Sequence, residues 1–147
     1  MNRREFVKQG CMVCLSGGLL PLVSACQSTH YVSGTVETDG IAILKSEFTY
    51  LKKDQKFTRS YIIVQQEKLE FPIYLYRFSE NEYSALWMKG SHQGAELQAS
   101  GDHLQCPSHG SEFDNKGIVN HGPAEQNLRS FKVVVSDEKI LIDLRHA

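Results

Sequence analysis

From Gly34 onward no stretch of the chain spaces its apolar residues at three and four, and this absence of helical periodicity constrains the fold most. What recurs instead are short runs rich in β-branched and aromatic residues: Thr35-Val36, Ile41 to Leu44, Tyr61 to Val64, Phe71 to Phe78, Tyr83 to Met88, Phe131 to Val135 and Ile140 to Leu144. Turn-forming groups separate them, among them Thr38-Asp39-Gly40, Glu80-Asn81-Glu82, Ser100-Gly101-Asp102 and Ser136-Asp137-Glu138. The expectation is an antiparallel all-β domain. Phe71 to Tyr76 is apolar at successive positions, as in a strand covered on both faces, and Pro72 belongs at its start because it has no amide to donate. Lys52, Lys53 and Lys56 read as a solvated basic turn. A chain of 147 residues with 41% hydrophobic and 22% charged side chains has room for one folded domain and not for a multi-domain enzyme. Its formal charge of -1 offers no general field for a polyanion, so nucleic-acid binding is not expected.

Residues 1–25 read as an address. Asn2-Arg3-Arg4-Glu5-Phe6-Val7-Lys8 resembles a twin-arginine export signal, and the moderately apolar stretch Val13 to Val23 is too short to span a ~30 Å hydrocarbon core. Val23-Ser24-Ala25-Cys26 resembles a bacterial lipobox, which implies acylation of Cys26 and its emergence as the first mature residue. Cys11 and Cys14 are then apolar residues of a discarded segment. Residues 26–33 are expected to be a tether and 34–147 the domain, anchored in a lipid bilayer and facing the periplasm or cell exterior. From Cys26 onward the chain carries 13 Lys+Arg against 16 Asp+Glu, a net charge of -3.

The chemistry-bearing stretch is Gly90-Ser91-His92-Gln93-Gly94-Ala95, followed by Cys106-Pro107-Ser108-His109-Gly110-Ser111-Glu112-Phe113-Asp114 and then by Gly122-Pro123-Ala124. This pattern resembles the Rieske iron–sulfur domain. There, two loops supply CxH and CxxH ligand pairs to a [2Fe-2S] cluster, and a glycine-proline loop packs beside it. The resemblance implies that His92 and His109 bind one iron, that Cys106 binds the other, and that Ser111 donates its hydroxyl to a cluster sulfide. Phe113 stands where many high-potential members have a tyrosine, which implies a potential in the lower part of the family's range. Replacing two thiolates by neutral imidazoles places that range at roughly -150 to +300 mV, against about -400 mV for all-cysteine plant-type clusters.

Gly90 occupies the position of the first cysteine ligand, and Ala95 and Ser108 stand where many relatives carry a disulfide pair. Ser91 has a hydroxyl one position too late. These substitutions leave three readings. The first is an electron-transfer lipoprotein passing electrons to or from a membrane redox protein or complex, its cluster completed from outside the chain. The second is a cluster-less Rieske-fold binding or assembly subunit. The third is a mononuclear metal site built from His92, Cys106 and His109. His30, His103, His121 and His146 match no ligand position and are expected to be ordinary polar histidines, while Trp87 and Met88 are expected to pack beneath the first loop. No catalytic motif is present, so any catalysis belongs to a partner.

Overall fold

The computed structural model describes residues 28–145, so the signal, Arg3 and Arg4, Cys11, Cys14, Cys26 and His146 lie outside it. The described residues are almost all β, as expected. The strands are β1 (Tyr31–Val32), β2 (Thr35–Val36), β3 (Gly40–Leu44), β4 (Thr49–Lys52), β5 (Gln55–Thr58), β6 (Tyr61–Val64) and β7 (Ile73–Arg77). They continue with β8 (Tyr83–Trp87), β9 (Gln98–Ser100), β10 (His103–Gln105), β11 (Glu112–Asp114), β12 (Val119–His121), β13 (Ser130–Val135) and β14 (Lys139–Asp143). Between β3 and β4 lies a single 3-10 turn, Lys45–Phe48.

Eight strands form one sheet in the order β1-β6-β7-β8-β13-β14-β3-β2. The sheet turns a corner at β13, whose first residues Ser130 and Phe131 pair with β8 while Lys132 to Val135 pair with β14. A second sheet, β12-β11-β10-β9, covers one face of β6 to β8, and β4-β5 stands alone as a hairpin. One pairing departs from the antiparallel expectation. Tyr31 and Val32 run parallel to β6, opposite Ile63 and Val64, so the stretch 26–33 is not all tether and the folded domain starts before Gly34.

Strands β6 to β8 are the shared wall between two cores. Side chains alternate across a strand, so Ile62, Val64, Ile73, Leu75 and Ala85 face one way and pack with Ile41, Ile43, Phe48, Ile140 and Ile142. Tyr61, Ile63, Tyr74 and Leu86 face the other way and pack with Met88, Leu97, Leu104, Cys106, Phe113, Ala124 and Leu128. This is why Phe71 to Tyr76 reads as apolar throughout. Pro72 sits immediately before β7, where its missing amide costs no ladder bond, and its carbonyl accepts the Met88 N–H at 2.9 Å. Met88 is buried under the first loop. Trp87, one residue earlier, faces the opposite core, half-buried against Phe71 and beneath the guanidinium of Arg129, 4.8 Å from its ring.

Tyr74 ties the two sheets together. Its hydroxyl donates to the Gly101 carbonyl at 2.8 Å, pinning the β9–β10 turn to the wall below. Burial, then the neighbouring Tyr76, Tyr61 and Asp102, push its phenol well above the ordinary tyrosine range. The unfolded chain releases this proton above about pH 10 while the folded chain keeps it. The stability linked to the neutral phenol is therefore complete below that pH and declines as pH rises beyond it. Tyr74→Phe is expected to cost about 1 kcal/mol at neutral pH through the lost hydrogen bond and to flatten the alkaline decline. Urea unfolding at pH 8 and pH 11 checks both, and an equally steep decline in the variant would contradict the assignment.

Candidate metal centre

Two short loops at the end of β8 and β10 have the same backbone construction. In the first, the Gly90 N–H donates to the Ala95 carbonyl at 2.8 Å and the Gly94 N–H to the Gly90 carbonyl at 3.0 Å. In the second, the Cys106 N–H donates to the Ser111 carbonyl at 2.8 Å and the Gly110 N–H to the Cys106 carbonyl at 2.9 Å. Both turns close through a glycine in the left-handed region, Gly94 at φ 72° and Gly110 at φ 79°, where a side chain is strained. Position 90 is therefore the structural counterpart of position 106.

A third loop locks the first two in place. The Ala124 N–H donates to the buried Ser111 hydroxyl at 3.0 Å, and the Ser91 hydroxyl donates to the Gln126 carbonyl at 2.5 Å. Ser91 is thus spent on holding the Gly122-Pro123 loop and is not directed at the centre. Ser111 accepts from Ala124 and keeps its own proton to donate, which suits a donor to an inorganic sulfide. Farther along, the Asp114 carboxylate accepts the Lys116 and Ile118 amides, and the Leu128 N–H bonds the Gly117 carbonyl. The tight turn after β11 and the return of the third loop are fixed in this way.

His92 and His109 meet at the exposed tip of the two loops. Their ring centroids lie 5.1 Å apart with the planes at 75°, and Cys106 lies buried behind them. The other described histidines are elsewhere: His30 meets Glu47 at 2.9 Å, His103 meets Asp102 at 3.3 Å, and His121 is exposed on the edge strand β12. Phe113 is fully buried in the core beneath Cys106, with no hydroxyl to offer. Among the described residues no three His, Cys, Asp or Glu side chains gather where one ion could take them all.

Residues 44–132 match the Rieske [2Fe-2S] domain family, more than half of the chain and all three loops. The chain belongs to that family. The Rieske chain is 39% identical over 84 residues to the oxygenase component of dicamba O-demethylase from Stenotrophomonas maltophilia, a stretch covering 50% of this chain and 25% of that one. It is 46% identical over 39 residues to a cytochrome b6-f complex iron-sulfur subunit of Nostoc, covering 26% of this chain and 22% of that one. The Rieske chain thus spans about a quarter of the length of the curated relatives it matches. Among solved structures it is similar to the cyanobacterial plasma membrane Rieske protein of Synechocystis, with a TM-score of 0.50, 25% identity, and coverage of 57% of this chain and 86% of that one.

The family normally holds a [2Fe-2S] cluster with two cysteines and two histidines. Of those four donor types, the described loops offer two imidazoles, at His92 and His109, and one thiol, at Cys106. The resemblance noted in the sequence implies His92, Cys106, His109 and Ser111. It does not indicate the Ser91–Gln126 bond or the equivalence of positions 90 and 106, which lie in backbone hydrogen bonding that no residue pattern records.

Proposed function

We propose that this protein is an exported, lipid-anchored electron-transfer protein of the Rieske type, serving a membrane redox partner and holding its cluster with three side chains of its own. The observation that carries this reading is the meeting of His92 and His109: neither imidazole bonds another side chain among the described residues, yet two separate loops bring them together at the surface. A [2Fe-2S] group bound there supplies a one-electron couple. His92 and His109 would hold its outer iron within reach of a partner. Cys106 would present its thiolate from a buried position in which water is excluded. Ser111 would donate its free hydroxyl proton to the sulfide, favouring the reduced form. With glycine at position 90, the fourth ligand would have to come from outside the chain, as water, hydroxide or a partner side chain. Relatives that bear names from a b6-f complex and from an oxygenase support the same general role.

One observation favours a second reading, a cluster-less binding subunit. Gly90 is buried, and a Cβ placed there would sit 3.2 Å from the Ala95 carbonyl oxygen and 3.3 Å from Leu97 Cδ2, so the chain has closed in slightly around the missing side chain. Iron, acid-labile sulfide and low-temperature EPR of the native protein decide between them. About two irons and two sulfides per chain, with the low average g-value of mixed histidine ligation, are expected. Gly90→Cys needs only a few tenths of an ångström of adjustment and is expected to fold and to hold its iron more firmly against chelators. A cluster that appears only in Gly90→Cys would establish the second reading.

A further inference from the structure

The strand registers give the domain two distinct ends. Val64, Ile73 and Trp87 align across β6, β7 and β8, and β8 runs on from Trp87 into the first loop of the site. At the opposite end Tyr61, Tyr76 and Ser84 align. The chain arrives at this second end: Thr29 Oγ1 lies 3.4 Å from the Tyr61 hydroxyl, and β1 runs from there in the same direction as β6. His30 clips onto Glu47 of the 3-10 turn, and the β4–β5 hairpin springs directly from that turn, its base closed by the Arg59 N–H on the Phe48 carbonyl at 2.6 Å. The start of the domain and the hairpin therefore share the end remote from His92 and His109.

This end carries an unusual concentration of exposed apolar side chains. Leu51 is 73% exposed, Leu44 49% and Phe57 39%, while Tyr31, 61% exposed, lies farther up β1 opposite Ile63. Lone exposed leucines are ordinary, but these stand beside charge of one sign. The hairpin segment holds Lys52, Lys53, Lys56 and Arg59 against Asp54, in a chain that from Cys26 onward is net negative. Register places Lys56 directly across from Leu51, and Tyr50 across from Phe57 with the Arg59 guanidinium 4.5 Å over the Tyr50 ring. Each face of the hairpin thus pairs an apolar body with a cation, the composition of an element lying at headgroup depth.

Reach supplies the occupant. Four residues lie between Cys26 and Tyr31, a span of five steps along the chain, so an acylated Cys26 holds this end within about 18 Å of the bilayer. We propose that the β4–β5 hairpin docks on anionic lipid headgroups through the face that carries Leu51 and Lys56, with Leu51 at the acyl boundary and the hairpin lysines at the phosphates. Docking fixes the domain upright, with the site loops turned away from the membrane toward a partner. This inference rests on the lipid-anchor reading above.

The test uses the full chain with Leu51→Trp, an exposed position where the change leaves the core untouched, reconstituted in vesicles of phosphatidylethanolamine and brominated phosphatidylglycerol. Quenching of indole fluorescence beyond that of the wild type, which carries only Trp87, is expected. Lys52→Glu with Lys56→Glu on that background should shift the docked-to-undocked ratio by about fivefold or more per lysine, and high salt should do the same. Mass spectrometry of the same sample reads acylation of Cys26. An acylated Leu51→Trp protein whose fluorescence is quenched no more than that of the wild type overturns the docking surface alone. An unacylated protein that is quenched supports the docking surface and overturns the anchor.

Discussion

Cys106→Ser is expected to abolish incorporation of iron and sulfide while leaving the domain folded. Serine preserves the volume at position 106, and the loop is closed by backbone bonds from Cys106 to Ser111 and Gly110 that do not involve sulfur. Family clusters have a second thiolate to fall back on; here Cys106 is the single described cysteine, buried and outside any disulfide. Its loss leaves the inner iron with no protein ligand, so iron should fall from about two per chain to essentially none. By contrast His109→Ala leaves both the thiolate and His92, and partial, chelator-sensitive retention is expected. Colorimetric iron and sulfide assays on matched samples check the pair. Equal retention in Cys106→Ser and wild type would show that the thiol holds no metal.

Phe113→Ala should be the most destabilising of the substitutions considered. Phe113 is fully buried at the centre of β11, opposite Leu104 and Val119, and it fills the core directly beneath the two loops. Truncating a buried phenylalanine costs about 3–5 kcal/mol through lost burial and the cavity left behind. Against a total stability of about 5–15 kcal/mol this is a large fraction, equivalent to a fall of about 10–20 °C in midpoint for a domain of this size. Thermal unfolding followed by circular dichroism measures it. A loss of only about 0.5 kcal/mol, the range expected of surface substitutions, would mean that this second core does not support the loops.

How much of this is legible in the sequence depends on burial. The strands of the large sheet are visible because both cores draw on them, so Ile62, Ile63, Tyr74 and Leu75 give unbroken apolar runs. The small sheet leaves almost no trace. Gln98-Ala99-Ser100, His103-Leu104-Gln105 and Glu112-Phe113-Asp114 are strands three residues long with one inward side chain each, too short for alternation to register. The β4–β5 hairpin escapes for the opposite reason. Most of it is exposed on both faces, so the lysines read as a turn; Lys53 and Asp54 do form its tip, both at positive φ. Adjacency to Met88 suggests that Trp87 also lies beneath the first loop, but adjacent residues of a strand face opposite ways, and it lies in the other core.

At the site, the resemblance to the Rieske loops is what points to His92, Cys106, His109 and Ser111; residue spacing without that pattern does not single them out. What the resemblance leaves open is how the first loop is built around Gly90. Matching hydrogen bonds at 90–95 and 106–111 show that positions 90 and 106 share one backbone setting.

Pulsed EPR of the reduced native protein, grown with nitrogen-15 histidine, tests the central claim most directly. Two distinct histidine nitrogen couplings, lost one at a time in His92→Ala and His109→Ala, are predicted. A paramagnetic centre without histidine coupling, or no centre in protein made with ample iron and sulfur, would contradict it.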